Sequence, residues 1–203
     1  MNSIIKLSLV ISFVAFLISC DQTPQKSQHK ETVGKLSDSI LQNYKQKGRE
    51  VTKSSFQVLS SALLSAIESQ GIPHALKFCN LQAIPLTDSL AEAYKVEVSR
   101  VSIKNRNTLN MADSLDLVFL ELMQQNLILH KKTSDTIVMS VDGALTYMSP
   151  IIIAPPCLQC HGMPETDIKS QNLSLIKTLY PDDKAIGYQL GELRGMWKIR
   201  FKN

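Results

Sequence analysis

Ile137-Val138-Met139-Ser140-Val141-Asp142-Gly143-Ala144-Leu145-Thr146-Tyr147-Met148 reads as two β-strands hinged on Asp142-Gly143. Asp-Gly between apolar runs fits a two-residue type I′ turn. Strands joined by so short a loop must run antiparallel. Downstream, Ser149-Pro150 is expected to bend the chain before Ile151-Ile152-Ile153. The last residues put Trp197, Ile199 and Phe201 on one strand face and Lys198, Arg200 and Lys202 on the other. Upstream, Val96, Val98 and Val101 form a half-buried strand.

The remaining chain reads as helix. Val33, Leu36, Ile40, Leu41 and Tyr44 have helical spacing. Gly48 is expected to interrupt, and a second stretch runs from Val51 through Phe56, Leu59, Leu63, Leu64 and Ile67 to a stop at Gly71. Ile72-Pro73 opens a third helix carrying Ala75, Leu76, Phe78 and Cys79, since proline suits a first turn. Ser89–Tyr94 is a further short helix. After a polar loop, Lys104–Asn110, Asp113 caps a helix striped by Leu115, Val118, Phe119, Leu122 and Met123. Ile168–Leu179 is helical up to Pro181. Helices first and mixed strands later give an α+β fold: an antiparallel sheet flanked by N-terminal helices, in one domain over residues 33–203.

With 203 residues, 44% apolar and 20% charged, the chain has the makeup of a folding domain rather than a disordered or fibrous one. A formal charge of +4, spread along the sequence, excludes a nucleic-acid partner as the expectation. The first residues form an export address: Lys6, then an uncharged apolar run Leu7–Ile18, too short to span a bilayer. Leu17-Ile18-Ser19-Cys20 resembles a bacterial lipobox, so residues 1–19 read as a lipoprotein signal peptide and Cys20 as the lipidated first mature residue. The competing reading is an ordinary signal peptide ending on a Cys. Residues 20–32 read as the lipidated Cys and a flexible tether, so the domain is expected outside the cytoplasm, anchored to a bacterial membrane on the periplasmic side.

Cys157-Leu158-Gln159-Cys160-His161 is the C-x-x-C-H of c-type haem attachment. Its two thiols reach both vinyl groups of one porphyrin as thioethers, and the next residue delivers a proximal iron ligand. Three other chemistries use similar spacings. A disulfide leaves His161 unexplained. A thioredoxin-like pair would open a helix at once, whereas Gly162 and Pro164 break one. A zinc site from Cys157, Cys160, His161 and Cys79 suffers from the adjacency of two ligands. One covalent haem c is the expected cofactor.

With Cys20, Cys157 and Cys160 assigned, Cys79 is left over. It is either a small buried side chain or the distal iron ligand, with His74, His130, Met148 and Met163 as rivals for that position.

The chain resembles a family of single-haem c-type proteins with a PAS-like domain and His/Cys iron ligation, which also supplies the extracytoplasmic part of bacterial sensor proteins. The resemblance runs from Leu59 to Phe201. It is carried by Ala75–Ala83 (ALKFCNLQA), Arg100, Arg106-Asn107-Thr108-Leu109-Asn110, Tyr147 with Pro150, CLQCHG, Tyr180–Tyr188 (YPDDKAIGY) and Gly191-Glu192-Leu193-Arg194-Gly195. Thr108 departs from the usual proline. The resemblance implies His161 as proximal and Cys79 as distal ligand. Arg100 and Arg106 then become partners for haem propionates, because guanidinium pairs well with carboxylate, or else simply a strand-end and a loop arginine.

The leading function is therefore a membrane-tethered haem protein with six-coordinate iron, sensing redox state or a diatomic gas. No kinase or output domain is recognisable in these residues, so a separate redox or signalling partner is expected. The runner-up is a one-electron carrier. A peroxidase-like enzyme would need a distal acid/base pair that the sequence does not offer. A haem-free binding module with a Cys157–Cys160 disulfide is the remaining alternative. By fold analogy alone, the helical stretch from Val33 to Ile67 could supply an interface that joins two copies into a homodimer.

Overall fold

The computed structural model describes residues 36–131, 133–140 and 142–202. The expected signal peptide, Cys20, the tether and the first residues of the expected Val33 helix lie outside the described residues. Helix α1 (Asp38–Tyr94) begins after Ser37, whose side chain accepts the Ile40 amide as N-cap. Leu36 is not helical, so the helix starts inside the apolar pattern and carries only its later members, Ile40, Leu41 and Tyr44.

The α1 run is two segments joined at Gln70 and Gly71, which leave helical dihedrals, Gly71 with φ +77°. The expected stop is therefore real. Ser54 and Tyr94 hydroxyls meet at 2.8 Å, so the second segment folds back along the first. Two expected breaks are corrected. Gly48 stays helical because Tyr147 of the sheet presses on it: a Cβ there would lie 2.2 Å from the ring. The 72–94 segment also runs unbroken through Pro85, merging the two short helices read from sequence. Its packing outweighs the lost backbone bond.

Strands β1 (Val96–Val101), β2 (Thr136–Met139), β3 (Leu145–Ile152) and β4 (Leu193–Phe201) form one antiparallel sheet in the order β1-β4-β3-β2. The hairpin is as expected but its turn is not. Ser140 donates to the Ala144 carbonyl and Gly143 to the Ser140 carbonyl, which closes a three-residue loop on a left-handed Gly143 rather than a type I′ turn. Pro150 does not bend the chain either; it stays in β3 opposite Met196, beyond the end of β2, where a sheet tolerates proline.

Both sheet faces are covered. On one, Val98, Tyr147, Trp197, Ile199 and Phe201 pack against Val51 of α1. On the other, Val101, Met148 and Met196 pack against Leu120 and Met123 of α2 (Ser114–Ile128). Asp113 caps α2 through a capping box with Asp116, and Lys198 bridges both carboxylates at 3.0 and 2.8 Å. Lys198, one of the charged alternate positions of β4, thus docks a helix, while Arg200 pairs with Glu97 and Asp142 and Lys202 faces water. A short helical turn α3 (Leu158–His161) and helix α4 (Ser170–Leu179) complete the chain, α4 packing Ile176 against Leu76 of α1.

Candidate functional site

The C-x-x-C-H segment is helical from end to end. Pro155–Cys157 makes a 3-10 turn that runs into α3, and Gly162 ends it by donating its amide to the Leu158 carbonyl at 2.8 Å. Residues three apart on a helical turn share a face, so Cys157 and Cys160 present their thiols together, with His161 next to them.

His161 is held by one bond. Its Nδ1–H donates to the Ala185 carbonyl at 2.7 Å, and that bond fixes the tautomer, leaving the Nε2 lone pair for another partner. Burial, reinforced by the charges of Arg194 and Arg106, keeps the imidazole neutral, well below the usual histidine range.

The Ala185 carbonyl is itself positioned. Asp183 accepts the Ala185 amide at 2.8 Å and takes Arg106 in a two-pronged pair at 3.2 and 3.1 Å. Arg106 also donates to the carbonyls of Cys160, at 2.6 Å, and Ala185, at 3.2 Å. A loop far along the chain is thus tied to the second cysteine and the histidine. The pair is 10% and 6% exposed, so removing one partner would strand a charge.

Two adjoining cavities of about 240 and 200 Å³ open beside this segment. Both are lined by His161, Cys79, Arg100 and Arg194. The first continues to Phe78 and Trp197, the second to Tyr180 and Cys160. Cys79 comes from the second α1 segment, Arg100 from β1 and Arg194 from β4. Desolvation raises the Cys79 thiol pKa, against the opposing pull of Arg100 and Arg106. Burial likewise lifts Cys160 to about 11. Arg100 lies over the Trp197 ring at 5.8 Å and has no hydrogen-bond or ion-pair partner among the described residues. Burial lowers its pKa, the mark of a desolvated cation.

The fold brings Cys79, Arg100, Cys160 and His161 to one place, with Cys157 on the same turn. It separates the rival ligands. Met148 is sealed in the α2-side core, His130 is exposed at the end of α2, Met163 is exposed, and His74 lines neither cavity. Among the described residues no three His, Cys, Asp or Glu side chains converge as a metal cluster. Arg106 is engaged as a brace rather than free in the cavity. Arg194, Tyr188, Asp183 and Ala185 had no role in the sequence reading, although their motifs were visible.

A family model for Tll0287-like proteins matches residues 25–201. The chain belongs to the Tll0287-like family. This membership bears out the single-haem c-type family read from the motifs. The crystal structure of the cyanobacterial heme protein Tll0287 is similar with a TM-score of 0.56, covering 83% of this chain and 98% of that one at 20% identity. At that identity the likeness establishes a shared α+β fold for the Tll0287-like chain. No curated protein matches it.

Proposed function

We propose that the protein is a single-haem c-type protein whose PAS-like domain holds one covalent haem through Cys157 and Cys160. In this reading His161 is the proximal and Cys79 the distal iron ligand. The observation that carries it is the His161–Ala185 bond: a neutral imidazole, anchored at Nδ1, keeps Nε2 free beside a cavity that Cys79 also lines. The side chains fit the group. Two thiols share a helical face for thioethers, a nitrogen and a sulfur donor line one cavity, and a buried guanidinium, Arg100, awaits an anion such as a propionate. When bound, the haem supplies a one-electron couple and an iron site. The chain's own residues then set its properties. His161 is oriented by Ala185, Arg106 and Asp183 stiffen the loop behind it, and Phe78 and Trp197 exclude water. A cysteine thiolate ligand adds electron density and negative charge and lowers the reduction potential relative to Met/His ligation.

Such a centre serves as a redox or diatomic-gas sensor. The second reading, a one-electron carrier, is favoured by the Tyr188 ring, which stands edge-on to His161 at 6.4 Å. Both require a partner protein. The lipobox reading of Cys20 places the domain on the outer side of a bacterial membrane. Among the described residues no helix is long and apolar enough to cross one.

The test is intact-mass spectrometry of protein matured where c-type haem is attached. One haem mass is expected on the wild type and none on Cys157→Ser/Cys160→Ser. A wild type carrying only apoprotein mass would overturn the reading.

A further inference from the structure

A cavity larger than the two that Cys79 and His161 line lies elsewhere on the fold. It is an open groove of about 940 Å³ between the C-terminal half of α2 and the loop leading into β4. We infer that this groove is the docking surface for the acidic face of a redox-partner protein, and that Tyr188 connects that partner to His161. The inference rests on the haem reading above and adds to it a place and a charge for the partner.

The groove's charge fits that occupant. Its walls carry Lys104, Lys131 and Arg194 against one carboxylate, Glu192. Opposite charges across an interface steer encounter and fix orientation. Its rim is apolar: Ile103, Ile128 and Leu190 are 44%, 68% and 62% exposed. Large apolar side chains clustered around a concavity and mixed with cations mark a protein contact rather than ordinary surface.

The groove also shares a wall with the His161 site. Arg194, Ser102 and Gly195 line both spaces. Tyr188, 5% exposed, lines the groove while its ring meets His161 edge-on at 6.4 Å. The ring is clamped: Lys104 Nζ lies 4.3 Å above it while donating to the Ile186 carbonyl at 2.7 Å, and the Arg194 guanidinium lies 5.5 Å from it. Electron tunnelling weakens steeply with distance, so a partner seated here stands one aromatic ring from the proximal imidazole.

Small redox reagents test the charge and the route without knowing the partner. Reduced holoprotein is mixed by stopped flow with ferricyanide, an anion, or with tris(phenanthroline)cobalt(III), a cation. In each reaction one electron leaves the protein and reduces the reagent, with no bond or proton exchanged. Lys131→Glu and Leu190→Glu alter the exposed groove. Lys53→Glu, on α1 across the sheet, makes the same net charge change as Lys131→Glu and is the control. At an ionic strength of about 0.01 M, where screening extends over about 30 Å, ferricyanide oxidation should slow about threefold or more in both groove variants. It should slow less in Lys53→Glu, and the cobalt reagent should show the opposite order. The differences should shrink as salt is added. Equal slowing by Lys53→Glu and Lys131→Glu, or no effect of either groove variant, would overturn the docking site while the haem spectrum stood. A wild type lacking a haem band would instead overturn the haem reading.

Discussion

His161 Nδ1 donates to the backbone carbonyl of Ala185 at 2.7 Å, and Asp183 holds that carbonyl's residue in place through the Ala185 amide. A carbonyl acceptor behind an imidazole raises its basicity and fixes its orientation, and loss of such support weakens the ligand. Asp183→Asn keeps the size but loses the charge that pairs with Arg106. The reduction potential should move upward by on the order of tens of millivolts, with the haem still covalently attached. Spectroelectrochemistry checks this; an unchanged potential would mean that the Asp183–Arg106 pair does not act through His161.

Asp135 joins α1 to the sheet. Its carboxylate takes Arg49 at 2.6 Å, Lys45 at 3.2 Å and the Tyr147 hydroxyl at 2.9 Å. Desolvation pushes its pKa up, but hydrogen bonds from Arg49, Tyr147 and Lys45 prevail and bring it to about 2. A folded-state value below the unfolded one gives stability that is complete above about pH 5 and fades as pH falls toward about 2. Asp135→Asn should cost about 1–2 kcal/mol at neutral pH, allowing for solvent screening. Denaturant melts should show that gap closing on acidification. A gap of constant size from pH 7 to about 2.5 would rule the linkage out.

Gly48 provides a case where two effects oppose. Gly→Ala inside a helix gains about 1 kcal/mol from propensity. Here the added Cβ would meet the buried Tyr147 ring at 2.2 Å, and overpacking costs about 1–3 kcal/mol, occasionally more. Gly48→Ala should therefore lower the thermal midpoint instead of raising it, as calorimetry would register.

Cys20 carries the membrane reading. Stable anchoring takes two acyl chains or an equivalent second signal. Cys20→Ser should move the protein from the membrane pellet to the soluble fraction without altering its haem content. Continued membrane sedimentation of the variant would point to another anchor.

The legible parts of the molecule were those written in adjacent residues. Cys157, Cys160 and His161 lie within one helical turn, so their spacing is their geometry. The alternation of Trp197, Ile199 and Phe201 likewise specified a buried face. Relations spanning the chain were less visible. Nothing local to Gly48 shows that Tyr147 will need its missing side chain, so a helix interior looked like a break. Pro85 and Pro150 carried ordinary breaker signals that tertiary packing and strand pairing overrode. Arg106 read as an anion partner because its own partner, Asp183, sits in a distant loop. Arg194 and Tyr188 stood in recognisable motifs, but only the fold puts them between a groove and His161.

Cys79 and His161 line the same two cavities from different parts of the chain, and His/Cys ligation requires both of them to bind one iron. Electron paramagnetic resonance of the oxidised holoprotein, wild type against Cys79→Ala, addresses this directly. The wild type should give a low-spin ferric signal with the narrow g spread of a thiolate donor, and the variant should lose it for a different spin state or ligand field. Identical spectra from the two proteins would contradict His/Cys ligation.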